Sequence, residues 1–178
     1  MPHIVRGRVL VAMLFASLIT AFLCLPARPA PGTDRIHEKI DSILILKRDH
    51  LLELLANGKV IHTYKVALGS AGLARKERRG DGRTPEGHYV IDSRKAHSAY
   101  HKALHVSYPN ADDRKRAVAL GVSPGGDIMI HGLPNGRGWI GSAHRAVDWT
   151  LGCIAVTDHE IDEIWDLVPV GTPVEIRP

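Results

Sequence analysis

The chain is 178 residues long, 44% apolar and 24% charged, which is enough for one domain with a real core and too little to expect two. Its 23 Lys and Arg against 19 Asp and Glu give a formal charge of +4, too small an excess to argue for a nucleic-acid surface but compatible with work near an anionic wall. Aromatic residues at 5% also disfavour an RNA-stacking sheet.

In chain order, Arg6-Gly7-Arg8 precedes an uncharged run from Val9 to Leu25 and a Pro/Ala exit. Basic start, short apolar stretch and Pro/Ala end read as a secretory leader over residues 1–27, either cleaved or kept as an anchor. The mature chain is therefore expected in the periplasm or cell envelope, touching the membrane only through this segment. Cys24 lies inside the leader and follows Leu23 rather than a small residue, which argues against a lipid anchor. Residues 28–41 form a lead-in, with a short helix expected over Thr33 to Lys39 behind Thr33 or Asp34 as cap. The folded domain is expected over residues 42–177.

Ser42 to Lys47 reads as a buried strand. His50 to Ala56, Asn57-Gly58 and Lys59 to Leu68 predict a hairpin, because Asn-Gly is the preferred type I′ turn between two apolar-rich runs. Alternation places Val60, His62, Tyr64, Val66 and Leu68 on one face of its second strand. Gly69 to Gly82 is a polar loop whose run Arg75-Lys76-Glu77-Arg78-Arg79 reads as a solvated charge patch, with a clamp for a substrate carboxylate as the sharper alternative. Thr84 to Ile91 is a turn feeding a strand. His97, His101 and His105 have the spacing of one helix face, but no Asp, Glu or Cys accompanies them, and Leu104 to Tyr108 reads as a strand ending at Pro109, so no metal site is expected. Asp112 to Leu120 and Asp158 to Leu167 are helical, the second capped by Thr157 or Asp158. Leu133 to Trp149 lacks either periodicity and is expected to be a functional loop, such as a flap. Gly171 to Ile176 closes as a strand. The sum is a mainly β fold with short helices, of α+β type.

Chemistry concentrates in two places. Ile128-Met129-Ile130-His131-Gly132 ends an apolar run in a histidine presented at a strand end. Thr150-Leu151-Gly152-Cys153-Ile154 puts a cysteine behind a glycine and ahead of apolar residues, at a tight turn where the N–H groups of Gly152 and Cys153 can face a substrate carbonyl. With Cys24 in the leader, Cys153 has no disulfide partner in the domain, and a spare thiol in an oxidising compartment is a liability unless it works. Thiol plus imidazole is the minimum equipment for acyl transfer and calls for no cofactor.

Taken together, His131-Gly132, Thr150-Leu151-Gly152-Cys153-Ile154, the upstream Gly82-Arg83-Thr84-Pro85-Glu86-Gly87 and the Asn-Gly hairpin resemble the L,D-transpeptidase catalytic domain, the YkuD-like family. The resemblance covers roughly residues 42–177. It implies a strand-rich mixed sandwich acting on peptidoglycan stem peptides, with Cys153 as nucleophile, His131 as general base and the Gly132 carbonyl orienting the imidazole. An amine acceptor, from a second stem peptide or a wall-anchored protein, then takes the acyl group. Leu151 stands where the family usually has a histidine and Ala155 where an arginine is common, and the interval from His131 to Cys153 is longer than usual. Water as acceptor, giving a hydrolase, is the alternative, as is a wall-binding module without catalysis; a papain-like protease is disfavoured because no helix signature follows Gly-Cys. Trp149, Thr150 and His144 are the candidate substrate contacts. His144 is a candidate substitute for the missing histidine, against the plainer reading of an exposed loop residue.

Overall fold

The computed structural model describes residues 39–178; the leader, Cys24 and nearly all of the expected lead-in helix lie outside the described residues. Strands β1 (Ser42–Leu46), β2 (Leu51–Ala56) and β3 (Lys59–Lys65) open the domain. β4 (Gly87–Ser98) and β5 (His101–Val106) follow, then α1 (Ala111–Ala119), β6 (Met129–His131), 3₁₀ turns over Gly138–Ala146, β7 (Ile154–Ala155), α2 (Asp158–Leu167) and β8 (Pro173–Arg177). The eight strands form one ladder in the order β3-β2-β1-β8-β4-β5-β6-β7. β1 runs parallel to β8 and β6 parallel to β7, while every other pair is antiparallel. This is the expected strand-rich mixed fold with short helices.

The ladder also returns on itself. Beyond the end of β3, Ala67 makes an antiparallel bridge to Ala155 of β7, with both amides donating at 2.9 Å. The segment after β3 thereby covers the outer edge of β7, while β3 itself pairs only with β2. One apolar cluster fills the interior and draws on every part of the ladder, from Ile43, Leu52 and Leu54 to Ile91, Ile130 and Ile154. α2 packs against it through Ile161 and Ile164. Trp165 lies at the margin of this cluster, with the Arg94 guanidinium 3.9 Å over its ring.

Local chemistry explains the elements. Asn57 and Gly58 both have positive φ, 52° and 72°, as a type I′ turn requires. α1 starts on a capping box between Asn110 and Asp113, and α2 on one between Thr157 and Glu160.

Three expectations change. A bulge at Ile61, opposite Leu54/Leu55, takes Val60 out of the alternation; His62 stays on the face of Tyr64, the two rings stacked at 6.2 Å, but is exposed, while Tyr64, Val66 and Leu68 are buried. β4 runs on to Ser98 through a polar, irregularly paired stretch that carries no apolar alternation to mark it. The loop after Leu133 is in part 3₁₀, interrupted at Gly141 (φ 52°), and Arg145 pairs with Glu160 of α2. The histidines at 101 and 105 have separate acidic partners, Asp162 at 2.9 Å and Asp92 at 2.6 Å.

The turn offers a clean test of backbone strain. A Cβ on Gly58 would meet nothing within 4 Å, so Gly58→Ala should lower stability by about 1–2 kcal/mol from the left-handed conformation alone. Urea unfolding checks this, and an unchanged midpoint would contradict the assigned turn.

Candidate active site

The site is built where β6 and β7 lie side by side. Their register pairs Ile130 with Ile154 and His131 with Ala155. Because side chains alternate along a strand, His131 and Cys153, two residues before Ala155, belong to the same face of this parallel pair. Both line one cavity of about 610 Å³, together with Tyr100, Trp149, Thr150 and Leu151. The two sequence motifs, 128–132 and 150–154, are thus neighbours through a two-residue strand.

The turn before Cys153 is held by Thr150, which is 4% exposed. Its Oγ1 donates to the Cys153 carbonyl at 2.7 Å and accepts from the Gly152 N–H at 3.1 Å. Gly152 has φ 125°, and a Cβ there would lie 2.5 Å from the Arg83 carbonyl oxygen, so both conformation and space demand glycine. Thr150 is itself fixed to the far edge of the ladder, its N–H donating to Leu68 O at 3.1 Å and its carbonyl accepting from Ser70 N–H at 2.9 Å. Thr150, expected as a substrate contact, shapes the turn, a role the sequence did not reveal. The Gly152 N–H, expected to face a substrate oxyanion, is occupied by Thr150; no hydrogen bond among the described residues uses the Cys153 N–H.

His131 is 4% exposed, and its Nδ1 lies 2.7 Å from the Gly132 carbonyl. A carbonyl can only accept, so Nδ1 carries the proton and Nε2 is left as the basic nitrogen. Burial lowers the His131 pKa below the ordinary histidine value, with the Gly132 bond opposing it. Burial pushes the Cys153 thiol up, while the Met129 backbone N–H favours the thiolate. Both groups are therefore neutral at rest. The thiol donates to Asp127 O at 3.5 Å rather than to the imidazole.

Aromatic rings brace the imidazole. Tyr100, at the turn between β4 and β5, lies 4.5 Å from the His131 ring, and Trp149 meets it edge-on at 5.8 Å. Trp149 Nε1–H points at His144 Nδ1 at 3.4 Å. His144 is buried at 7% exposure rather than exposed, because its 3₁₀ segment folds against Trp149. Tyr100 carries no sequence signal at all; only the register Ala103 to His131 brings its hairpin over the histidine. Lys76, expected in solvent, is buried and lines the cavity. No group of three or more His, Cys, Asp or Glu converges as a metal site among the described residues.

A mixed sheet presenting a histidine on β6 and a cysteine at the entry to the adjacent β7 defines a class of thiol-bearing domain, and sequence comparison gives it a family. The profile of YkuD, the L,D-transpeptidase catalytic domain, matches residues 40–176, and the chain belongs to that family. YafK of Escherichia coli strain K12, provisionally named an L,D-transpeptidase, is 33% identical over 132 residues, covering 71% of this chain and 46% of that protein. The chain thus spans about half the length of the curated relatives it matches. A mutant form of the helical cell shape determining protein Pgp2 from Campylobacter jejuni superposes with TM-score 0.61 at 26% identity, over 78% of this chain and 47% of that one. An L,D-transpeptidase from Xylanimonas cellulosilytica shares the fold at TM-score 0.54 and 16% identity, over 84% of this chain and 64% of that one.

Two outcomes follow from the geometry. Thr150→Val keeps the volume but leaves a buried carbonyl and N–H without their partner, and should cost about 1–3 kcal/mol in urea unfolding. It should slow labelling of Cys153 by a β-lactam about 10- to 100-fold through the displaced turn, with Thr150→Ser restoring most of the rate. Second, if His131 is the base, as the family resemblance implies, it must be unprotonated to act, and its lowered pKa moves the acid limb downward. The rate of acylation should therefore fall only as pH drops below the ordinary histidine value of 6.5. A limb centred above that value would contradict the buried, neutral imidazole.

Proposed function

We propose that this domain carries out cysteine-dependent acyl transfer on peptidoglycan stem peptides through a thioester on Cys153. The observation that carries the reading is the pairing of β6 with β7. It sets a histidine of fixed tautomer and a thiol on one face, at one cavity, in a chain of the L,D-transpeptidase catalytic-domain family.

In this reading Sγ attacks the carbonyl of a bond between an L-centre and a D-centre while Nε2 of His131 takes the thiol proton. The carbonyl electron pair moves onto oxygen, where the Cys153 N–H can hold it. Collapse re-forms the carbonyl and breaks the C–N bond, and the leaving D-amino acid takes its proton from the imidazolium. The Gly132 carbonyl supports that imidazolium, because it accepts from Nδ1–H in both protonation states. An incoming amine then attacks the thioester, loses its proton to Nε2, and Cys153 leaves as thiolate to be reprotonated. The product is a crosslink or a wall-anchored protein.

Water is the second candidate acceptor. Leu151 is 81% exposed at the cavity and offers neither a proton acceptor nor a hydrogen bond to an incoming amine, in the place where the family usually has a histidine. Location in the cell envelope belongs to the same proposal. It rests on the basic and apolar leader and on the substrate; among the described residues no helix is long and apolar enough to cross a membrane.

Purified protein incubated with tetrapeptide-bearing muropeptides, with and without an amine acceptor, tests the reading by product mass. Crosslinked product that rises with acceptor is expected, and a shortened peptide indifferent to acceptor would assign a hydrolase. Cys153→Ser should fold normally and lose nearly all turnover, since an alkoxide is far harder for this histidine to generate than a thiolate. A carbapenem should add its mass to the wild type and not to that variant. Normal turnover by Cys153→Ser would overturn both acceptor readings.

A further inference from the structure

Trp149 lies between two histidines. Its ring meets the His131 imidazole edge-on at 5.8 Å and the His144 imidazole edge-on at 6.4 Å, and it stacks on Tyr100 at 6.2 Å. The backbone on either side of it is pinned. Asp148 Oδ1 accepts from the Leu68 N–H at 2.7 Å and Oδ2 lies 3.0 Å from His50 Nε2, while the Thr150 N–H donates to Leu68 O at 3.1 Å. The freedom left to the indole is rotation about its side-chain torsions, and the hydrogen bond that opposes this rotation runs from Nε1–H to His144 Nδ1 at 3.4 Å.

Packing alone does not account for His144. The residue is 7% exposed, and with Nδ1 accepting, the proton of the neutral ring sits on Nε2, which is buried without a hydrogen-bond partner among the described residues. An apolar side chain would fill the space without that buried donor. Burial and then the adjacent Arg145 guanidinium lower the His144 pKa; Glu160 of α2 opposes them and His131 adds to them. The ring is therefore neutral near pH 7 and its Nδ1 is free to accept. The cavity wall includes His131 and Trp149 but not His144, so His144 stands behind the indole.

We propose that His144 is a positioning residue: by accepting from Trp149 Nε1–H it fixes the indole against His131 and so limits the tilt of the imidazole about its bond to the Gly132 carbonyl. The proposal rests on the acyl-transfer reading above, in which Nε2 of His131 receives the Sγ proton. A single hydrogen bond at Nδ1, 2.7 Å long, leaves the imidazole able to rock about that contact, and a displacement of about 1 Å at a reacting atom costs on the order of 100-fold in rate. The rings of Tyr100 and Trp149 take up that freedom, and of these two Trp149 is the one held by a side-chain hydrogen bond.

Acylation of Cys153 by a carbapenem, followed by mass, gives the limiting rate and the half-saturating concentration separately. His144→Leu should lower the limiting rate about tenfold with half-saturation little changed, and His144→Asn, whose Oδ1 takes the place of Nδ1, should restore most of it. Trp149→Phe, which keeps a ring and loses the N–H, should lose a similar factor. The double variant His144→Leu with Trp149→Phe should lose no more than either single, because both remove the same bond. In nuclear magnetic resonance spectra, the indole N–H signal that is absent from Trp149→Phe should shift in His144→Leu and return toward its place in His144→Asn, with melting curves checking that each variant is folded. An unshifted signal, losses that multiply in the double variant, or Trp149→Phe acylating at the wild-type rate would overturn the positioning role and leave acyl transfer intact. A wild type that takes up no carbapenem would overturn the acyl-transfer reading and the positioning role with it.

Discussion

The structure depends on the seating of a strand only two residues long. Ile154 and Ala155 are too few to hold a conformation by themselves, and they are fixed from both sides, parallel to β6 and through Ala155 to Ala67. The same edge continues into Thr150, which bonds Leu68 and Ser70. Closing the ladder thus does two things at once. It pairs the outer backbone of β7 and it fixes where the cysteine stands relative to the histidine. Precision in the pair is a property of the sheet rather than of a direct bond between the two side chains.

A second constraint is electrostatic and acts on the loop between β3 and β4. Lys47 reaches into this loop with no exposure, donating to Ala74 O, Thr84 O and Glu86, and burial lowers its pKa against the pull of Glu86. Buried charges are tolerated only when paired and hydrogen-bonded, and every bond Lys47 makes pins a different part of the loop. Thr84 adds a further tie, accepting from Gly69 N–H at 3.0 Å. The loop is therefore a rigid wall of the cavity, although its composition is that of a solvated segment.

What was legible in the sequence is what local chemistry encodes. Asn57-Gly58 sets its hairpin, the Thr157 and Glu160 pair sets the start of α2, and the apolar run into His131 sets β6, because each signal acts within a few residues. The cysteine and histidine were legible by chemical type and motif. The rest depends on contacts distant in sequence. Nothing near Tyr100 announces that it will cover His131, since that follows from the pairing of β5 with β6. Lys76 looks like its basic neighbours, and only Asp81 and the turn of the loop bury it. His144 sits in a segment without periodicity because 3₁₀ turns broken at Gly141 leave no repeating apolar face. Gly152 showed the tight turn but not that Thr150 takes its amide.

The central claim is that the substrate's acyl group passes through a thioester on Cys153. Acid quenching of the wild-type protein during turnover of a tetrapeptide donor, followed by proteolysis and tandem mass spectrometry, reads it directly. The account predicts an acyl adduct equal to the donor minus its terminal D-amino acid, on the peptide containing Cys153 and labile to hydroxylamine as a thioester is. Turnover with no such adduct at any time point, or an adduct on another residue, would contradict it.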